Sequence, residues 1–292
     1  MENVVIDTKA IDNIWKKYVK NPDELNPRDN IVDRGYHIEK ELPKGGILFL
    51  GMNPSYPKGT KDRTYIRKKD KDTFVYGDSY NLEKIKETCF KQKEDLKDED
   101  IRTQKYWKPI VDAAVRIIQE NIEMQIMQLK QMLQENTGRK KEEDIERELK
   151  RLHHKFERCR QEVEFCHHDL FFVRETDQKK VLSLRAKYDD FYKKQLDYSK
   201  DIIEKAAPKI IIVINAGAGN LIREELGTDF FGFIPGTSWN EECGVDIVKI
   251  GEREVPIIFT GMLSSTGRIN KGTETTLFWN IRHIARQLKI TF

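Results

Sequence analysis

"GGILFLGMNPSYP", Gly45 to Pro57, is where the chain first reads as chemistry. Ile47 to Leu50 form an unbroken apolar run, the pattern of a strand buried on both faces. The run stops at Gly51 and gives way to Met52, Asn53, Pro54 and Ser55. A tight glycine turn, an uncharged amide, a rigid proline and a hydroxyl put hydrogen-bonding groups at a strand end instead of in a core.

Outward from that stretch, strands and helices alternate. "EFCHHDLFFVRE" reads as a second strand, and "YKKQLDYSKDIIEKAAP" as a helix ended by Pro208. "KIIIVINAGAGNLIREEL" gives strand, glycine-rich turn and helix. "FFGFIPGTSWNEECGVDIVKIGEREV" gives short strands or loops. "PIIFTGMLSSTGRINKGTET" is a last buried strand running into a polar loop, and "TLFWNIRHIARQL" is the closing helix. Continuous apolar strands between helices predict an α/β fold with a parallel sheet covered on both faces. Such sheets bind ligands at the carboxyl ends of their strands. The polar loops Gly51–Tyr56, Asp169–Thr176, Asn215–Asn220 and Ser264–Gly272 all follow strands.

Residues 1–44 form an N-terminal extension with one helix, Ile11, Ile14, Trp15 and Tyr18 sharing a face, and then turns around Pro22 and Pro27. Residues 56–105 read as loops with a short helix near Leu82 to Phe90. From Tyr106 a helical period sets in. Val111, Val115, Ile118, Ile122, Ile126, Leu129 and Leu133 are answered by Ile145, Leu149, Leu152, Phe156, Cys159 and Val163, with Gly138 in the polar turn. This is an antiparallel helical hairpin over about 112–164, inserted into a single domain spanning 1–292, each arm roughly 35 Å long. It serves as a solvated structural element, as a seam for self-association, or as an arm that grips a partner.

Charged residues make up 35% of the 292, and mean hydropathy is −0.68. The 52 basic and 49 acidic residues nearly cancel, leaving +3, so bulk charge does not force a nucleic-acid partner. No apolar run reaches membrane-spanning length, and the N-terminus lacks the basic and apolar regions of a signal peptide. The four cysteines (Cys89, Cys159, Cys166, Cys243) are scattered without a C-x-x-C, as expected of reduced thiols in a cytoplasmic protein.

Several chemistries fall away. "NAGAGN" is neither G-x-G-x-x-G nor a P-loop and reads as a small-residue turn for close helix–sheet packing. His153, His154, Cys159, Cys166, His167 and His168 match no common zinc spacing, so neither metal nor cofactor is expected. No G-x-S-x-G elbow occurs. What remains is Asn53, whose amide holds a water or a base edge without adding charge, and the last loop. There Ser264, Ser265, Thr266, Arg268 and Lys271 suit phosphate contacts. Phe74 and Tyr76 in "TFVYGDSY" offer rings for stacking on a base.

With those residues in view, the chain resembles the uracil-DNA glycosylase superfamily. "ILFLGMNPS" is similar to the first motif of its single-strand-selective monofunctional branch, G-M-N-P-G, and of its mismatch-specific branch, G-x-N-P-G. The order of elements over roughly residues 40–292 is similar too: motif strand, aromatic loop "TFVYGD", aromatic helix start "YWKPI", second strand "FCHHDLFF", "PKIIIVINAGAGNLI", and the serine-rich "GMLSSTGRINKGT". The hairpin has no counterpart there.

The resemblance implies a three-layer α/β/α sandwich around a parallel four-stranded sheet, and metal-free hydrolysis of an N-glycosidic bond after base flipping in DNA. It makes Asn53 the residue that positions the attacking water and Phe74, or Tyr76, the stacking ring. Gly51, Met52 and the second-strand residue line the base pocket. Ser55, Ser264, Ser265 and the loop to Lys271 grip the backbone. Two departures stand out. The family's H-P-S-P histidine falls on Met262 or Leu263, and its base-reading asparagine on His168 or Asp169. A carboxylate at Asp169 accepts from an exocyclic amino group and repels uracil O4, which favours cytosine or a modified cytosine. The alternative is a non-catalytic member that binds nucleic acid or a protein through the hairpin.

Overall fold

The computed structural model describes residues 2–56, 64–70, 73–91, 93–135, 139–263 and 268–292. It divides into two compact units, Met1–Leu82 with Phe165–Met262, and Glu83–Glu164 with Leu263–Phe292. The first unit opens with β1 (Asn3–Val5) and α1 (Thr8–Lys16), the latter capped by the Asp7 carboxylate accepting from the N–H groups of Lys9 and Ala10. Next come β2 (Tyr36–Glu39), β3 (Glu41–Pro43), β4 (Ile47–Gly51), β5 (Arg67–Lys68), β6 (Phe74–Val75) and β7 (Gly77–Tyr80). The chain then forms α2 (Leu82–Cys89), α3 (Asp98–Ile118), α4 (Glu120–Gln134) and α5 (Arg139–Glu162). It returns as β8 (Cys166–Asp169), α6 (Gln178–Lys187), α7 (Asp189–Ala206), β9 (Ile210–Val213), α8 (Ala216–Asn220), β10 (Trp239–Asn240), β11 (Val245–Ile250) and β12 (Arg253–Phe259). α9 (Lys271–Gln287) belongs to the second unit.

The fold is mixed α/β, with a six-stranded, mostly parallel sheet in the order β10-β11-β12-β9-β4-β8. β12, β9, β4 and β8 pair in parallel, whereas β10–β11 and β11–β12 are antiparallel. The sequence predicts four strands. The extra two lie in the stretch read as short strands or loops, where β11 buries only Val245, Val248 and Ile250 instead of running apolar throughout. A tight turn at Gly251, with φ of 61°, folds it onto β12. β4 and β9 are buried along their whole length, which accounts for their unbroken apolar runs. Register sets Leu50 beside both Val213 and His168, and Gly51 beside Asp169. The carboxyl ends of the parallel strands therefore share one edge of the sheet.

The first forty-four residues are built into this unit's core. Trp15 is fully buried, donates its indole N–H to the Val32 carbonyl at 3.1 Å, and meets Tyr36 and Phe191 edge-on at 5.4 and 4.8 Å. Gly35 has φ of 78°, and a Cβ there would sit 2.3 Å from the Tyr76 carbonyl oxygen. Only glycine lets the chain enter β2 that close to β7.

In the second unit α4 and α5 pack through Ile122, Ile126, Ile145, Leu149 and Leu152, as the helical period requires. The first arm is two helices, not one. At Gln119 the backbone leaves helical geometry (φ −111°, ψ 46°), ending α3 and starting α4. "YWKPI", expected at a helix start, lies in mid-α3, which begins at Asp98 and carries Pro109 internally. Residues 56–105, expected to be loops with one helix, also hold β5, β6 and β7. No helix among the described residues is long and apolar enough to cross a membrane.

Trp15→Ala removes the hub of the first unit's aromatic packing and should destabilise the protein by about 3–5 kcal/mol, measured by urea unfolding. A loss below about 1 kcal/mol would mean that α1 packs only peripherally.

Candidate active site at the strand ends

β4 ends at Gly51 because nothing larger fits. A Cβ on Gly51 would lie 2.0 Å from Asp169 Oδ1, so the Asp169 carboxyl rests on the glycine of the neighbouring strand. Beyond this pair the two following loops are zipped together. Leu170 N–H donates to Gly51 O at 3.2 Å, Phe171 N–H to Met52 O at 2.9 Å, and Glu175 N–H to Pro54 O at 3.0 Å. Thr176 Oγ1 both accepts from Tyr56 N–H and donates to Tyr56 O.

Asn53 sits within this zipper, partly accessible. Its Nδ2 donates to Glu175 O at 2.5 Å and to Pro54 O at 3.1 Å. These two carbonyl oxygens occupy the amide nitrogen and leave Oδ1 as the acceptor of the side chain. Glu175 is itself pinned. Its Oε2 accepts from Arg34 Nη1 at 2.6 Å, and its Oε1 caps the next turn by accepting from the N–H groups of Thr176 and Asp177. Arg34 and Glu175 are both buried; Arg34 also donates to the Pro27 carbonyl at 2.7 Å and lies over the Tyr56 ring at 4.3 Å.

A second polar group flanks Asp169. Successive side chains of the edge strand β8 point to opposite faces, yet His167 and His168 both reach the Glu39 carboxylate. His168 Nδ1 is 3.0 Å from Glu39 Oε2 and its Nε2 is 3.0 Å from Ser199 Oγ. His167 Nδ1 is 3.3 Å from Glu39 Oε1 and 3.0 Å from the Tyr80 hydroxyl, which also donates to Glu39. Burial alone would lift the Glu39 carboxyl, but the His168 charge and these hydrogen bonds outweigh it, and Glu39 stays far below the usual carboxylate range. Nearby, His37 Nδ1 meets Asp78 at 2.6 Å and Arg174 lies 3.5 Å from the same oxygen. Those partners hold Asp78 low against burial.

Asp169 has the opposite lot. It is partly accessible but crowded by protein, and it has no hydrogen-bond or ion-pair partner among the described residues. Burial and the Glu39 charge push it up to about 6, while His167, His168 and His37 pull the other way. A carboxyl that titrates near neutrality can exchange protons with a bound molecule.

The other expected site residues divide as follows. At the second strand end His168 is fully buried with both ring nitrogens engaged, whereas Asp169 is partly accessible. Tyr76 is a core side chain, and Phe74, partly buried under Lys68 Nζ at 5.5 Å, keeps some of its ring accessible. Ser55 is exposed and Met52 buried. Ser264, Ser265 and Thr266 lie outside the described residues. Arg268 and Lys271 belong to the second unit. There Arg268 is occupied by the buried Glu274 carboxylate at 2.9 and 3.1 Å, and Lys271 is exposed at the start of α9. "NAGAGN" is a packing turn as expected. Asn215 caps α8 by accepting from Ala218 N–H, and Gly219 brings the helix against Phe259. Among the described residues no cluster of His, Cys, Asp or Glu could hold a metal ion.

Sequence reading missed Arg34, Glu39, Glu175, Tyr80 and Ser199. Their one signal is local: Arg34, Glu39 and Glu175 are charges set directly beside short buried runs, as in "YHIE" and "FFVRE". No family model, no curated protein and no solved structure matches the chain.

The folded-state pKa of Asp169 lies above its unfolded value, so stability falls as pH rises from about 4 to about 6. Asp169→Asn should therefore stabilise the protein at pH 8 by up to about 3 kcal/mol and change little at pH 4, as read by urea unfolding. Equal effects at both pH values would show that Asp169 is not held protonatable.

Proposed function

We propose that this protein is a monofunctional DNA glycosylase of the uracil-DNA glycosylase type, acting on a flipped base that is cytosine or a modified cytosine. The observation that carries this reading is the Asn53 amide after the end of β4: its nitrogen is tied to two carbonyls, which leaves Oδ1 as its acceptor, and two residues earlier Gly51 carries the Asp169 carboxyl. β8, β4, β9 and β12 stand for the family's parallel four-stranded sheet in a three-layer α/β/α arrangement, and the β10–β11 pair for an edge addition. Residues 112–164 are the inserted hairpin within one domain.

Asn53 Oδ1 accepts from a water O–H and aims the oxygen lone pair at the anomeric carbon. The C–N bond breaks as the sugar becomes oxocarbenium-like, and the base takes the bonding electrons. Gly51 and Met52 form the pocket floor, Phe74 stacks on the base, and Ser55 holds the backbone. Asp169 accepts from the exocyclic amino group of cytosine and, when ionised, disfavours uracil O4. No cofactor is required.

A second reading, a binding protein acting through the hairpin, is favoured by one observation. α4 and α5 border an open groove of about 610 Å³ lined by Leu133, Leu149, His153 and His154, and Met127 and Met132 are exposed on α4.

An abasic-site assay across uracil and modified cytosines, in single- and double-stranded oligonucleotides, decides between the two. Asn53→Ala should lower base release by at least about 100-fold while DNA affinity and its steep salt dependence stay near wild type. Wild-type excision by Asn53→Ala would overturn the assignment of Asn53. Uracil release with none from any cytosine derivative would overturn the assigned base.

A further inference from the structure

The proposed reaction leaves one charge unaccounted for. The departing base carries off an electron pair, and the strand end where the resemblance places a histidine holds Met262 and Leu263, neither able to donate a proton. Asp169 is a proton-exchanging group of the first unit that the water-positioning chemistry does not use. Its carboxyl lies on Gly51, two residues from Asn53 in the chain, and has no partner of its own among the described residues. Glu39, by contrast, is saturated by Tyr80, His167 and His168, and His168 is backed by Ser199.

We propose that Asp169 donates the proton to the departing base, and that Glu39, fixed as a buried anion, is the positioning residue that keeps this proton on Asp169. This rests on the glycosylase reading. The step balances within the site. The C–N bond breaks toward the base, the Asp169 O–H bond breaks, and its proton goes to the base. Water oxygen bonds to the anomeric carbon and returns its spare proton to the Asp169 carboxylate. No oxidant or co-reactant is needed.

The charges around Asp169 come from every neighbouring element. β8 contributes His167 and His168 and β2 contributes His37 and Glu39; on β7, Asp78 pairs with His37 and Tyr80 with His167 and Glu39. Arg174 pairs with Asp78 in the loop after β8, while β4 presents only Gly51. The three histidines favour the ionised form of Asp169, and Glu39 is the charge that opposes them. Tyr80, His167 and His168 anchor Glu39 and prevent it from becoming protonated in place of Asp169.

Carboxyl-carbon NMR on the full chain labelled at aspartate, with Asp169→Asn assigning the resonance, reads the proton directly and needs no substrate. The wild-type midpoint is expected at about 6. Glu39→Gln should lower it by roughly one pH unit. A wild-type midpoint near the ordinary value of about 4, or a midpoint that Glu39→Gln leaves in place, overturns the proposal. If Glu39→Gln does not fold, the wild-type midpoint decides alone. In the base-release assay Asp169→Asn should lose at least about 100-fold in rate, and Glu39→Gln should shift the pH optimum down in step with the NMR midpoint. Base release by Asp169→Asn at the wild-type rate also overturns it. A protein with the expected midpoints that releases no base refutes the glycosylase reading and leaves the Glu39–Asp169 linkage standing.

Discussion

Asn53 stays where it is because Arg34 holds Glu175. Neither member of that pair is exposed, and desolvating two charges costs about what their attraction returns, so the pair is poorly explained as a source of stability. Its effect is positional. Glu175 presents its backbone carbonyl to Asn53 Nδ2 and its carboxylate to Arg34 and two N–H groups at once. An apolar pair of the same volume would fill the space but would not set the angle at which residues 51–56 meet residues 170–176. The zipper between those loops, the Asn53 Oδ1 left as an acceptor and the turn into α6 all follow from it.

The same strand ends treat two carboxyls unequally. Glu39 receives donors from β7 and from both faces of β8, whereas Asp169, next along β8, receives none. A protein selected for stability alone would share the donors out. Concentrating them on Glu39 makes one group permanently charged and leaves the other to carry the proton, which is how environment separates the roles of two like groups. The stability given up at Asp169 falls where a reactive group is useful.

How much of this was legible depends on burial. β4 and β9 could be read directly because both faces are covered and every residue is apolar. β11 escaped because only Val245, Val248 and Ile250 are buried, which leaves a pattern close to that of a polar loop. The hairpin's period was plain, yet the break at Gln119 was not, since a single non-helical residue between two helices barely alters the apolar spacing. Asn53 was visible because it follows an apolar run, and Asp169 because the resemblance sets the family's base-reading position on His168 or Asp169. Arg34, Glu39 and Glu175 were not, because a buried charge is legible only through its partner. Those partners are 141 residues away for Arg34 and 129 for the Glu39–His168 pair.

The two departures from the glycosylase pattern then have a common physical basis within that proposal. Losing a histidine beside the leaving base and gaining an aspartate at the second strand end would each be damaging alone. Without the histidine the base anion has no donor, and an ionised aspartate would repel it. Together they exchange one donor for another, provided that Asp169 arrives protonated. That condition is severe for a carboxyl, which is why burial, the missing hydrogen-bond partner and the Glu39 charge all push in one direction. It also ties base choice to proton state. The protonated carboxyl sets an acceptor beside a donor, and that pair fits cytosine's amino group and ring nitrogen. Uracil's O4 and ring N–H fit the same pair, so only the ionised form, which keeps acceptors alone and has no proton to give, disfavours uracil.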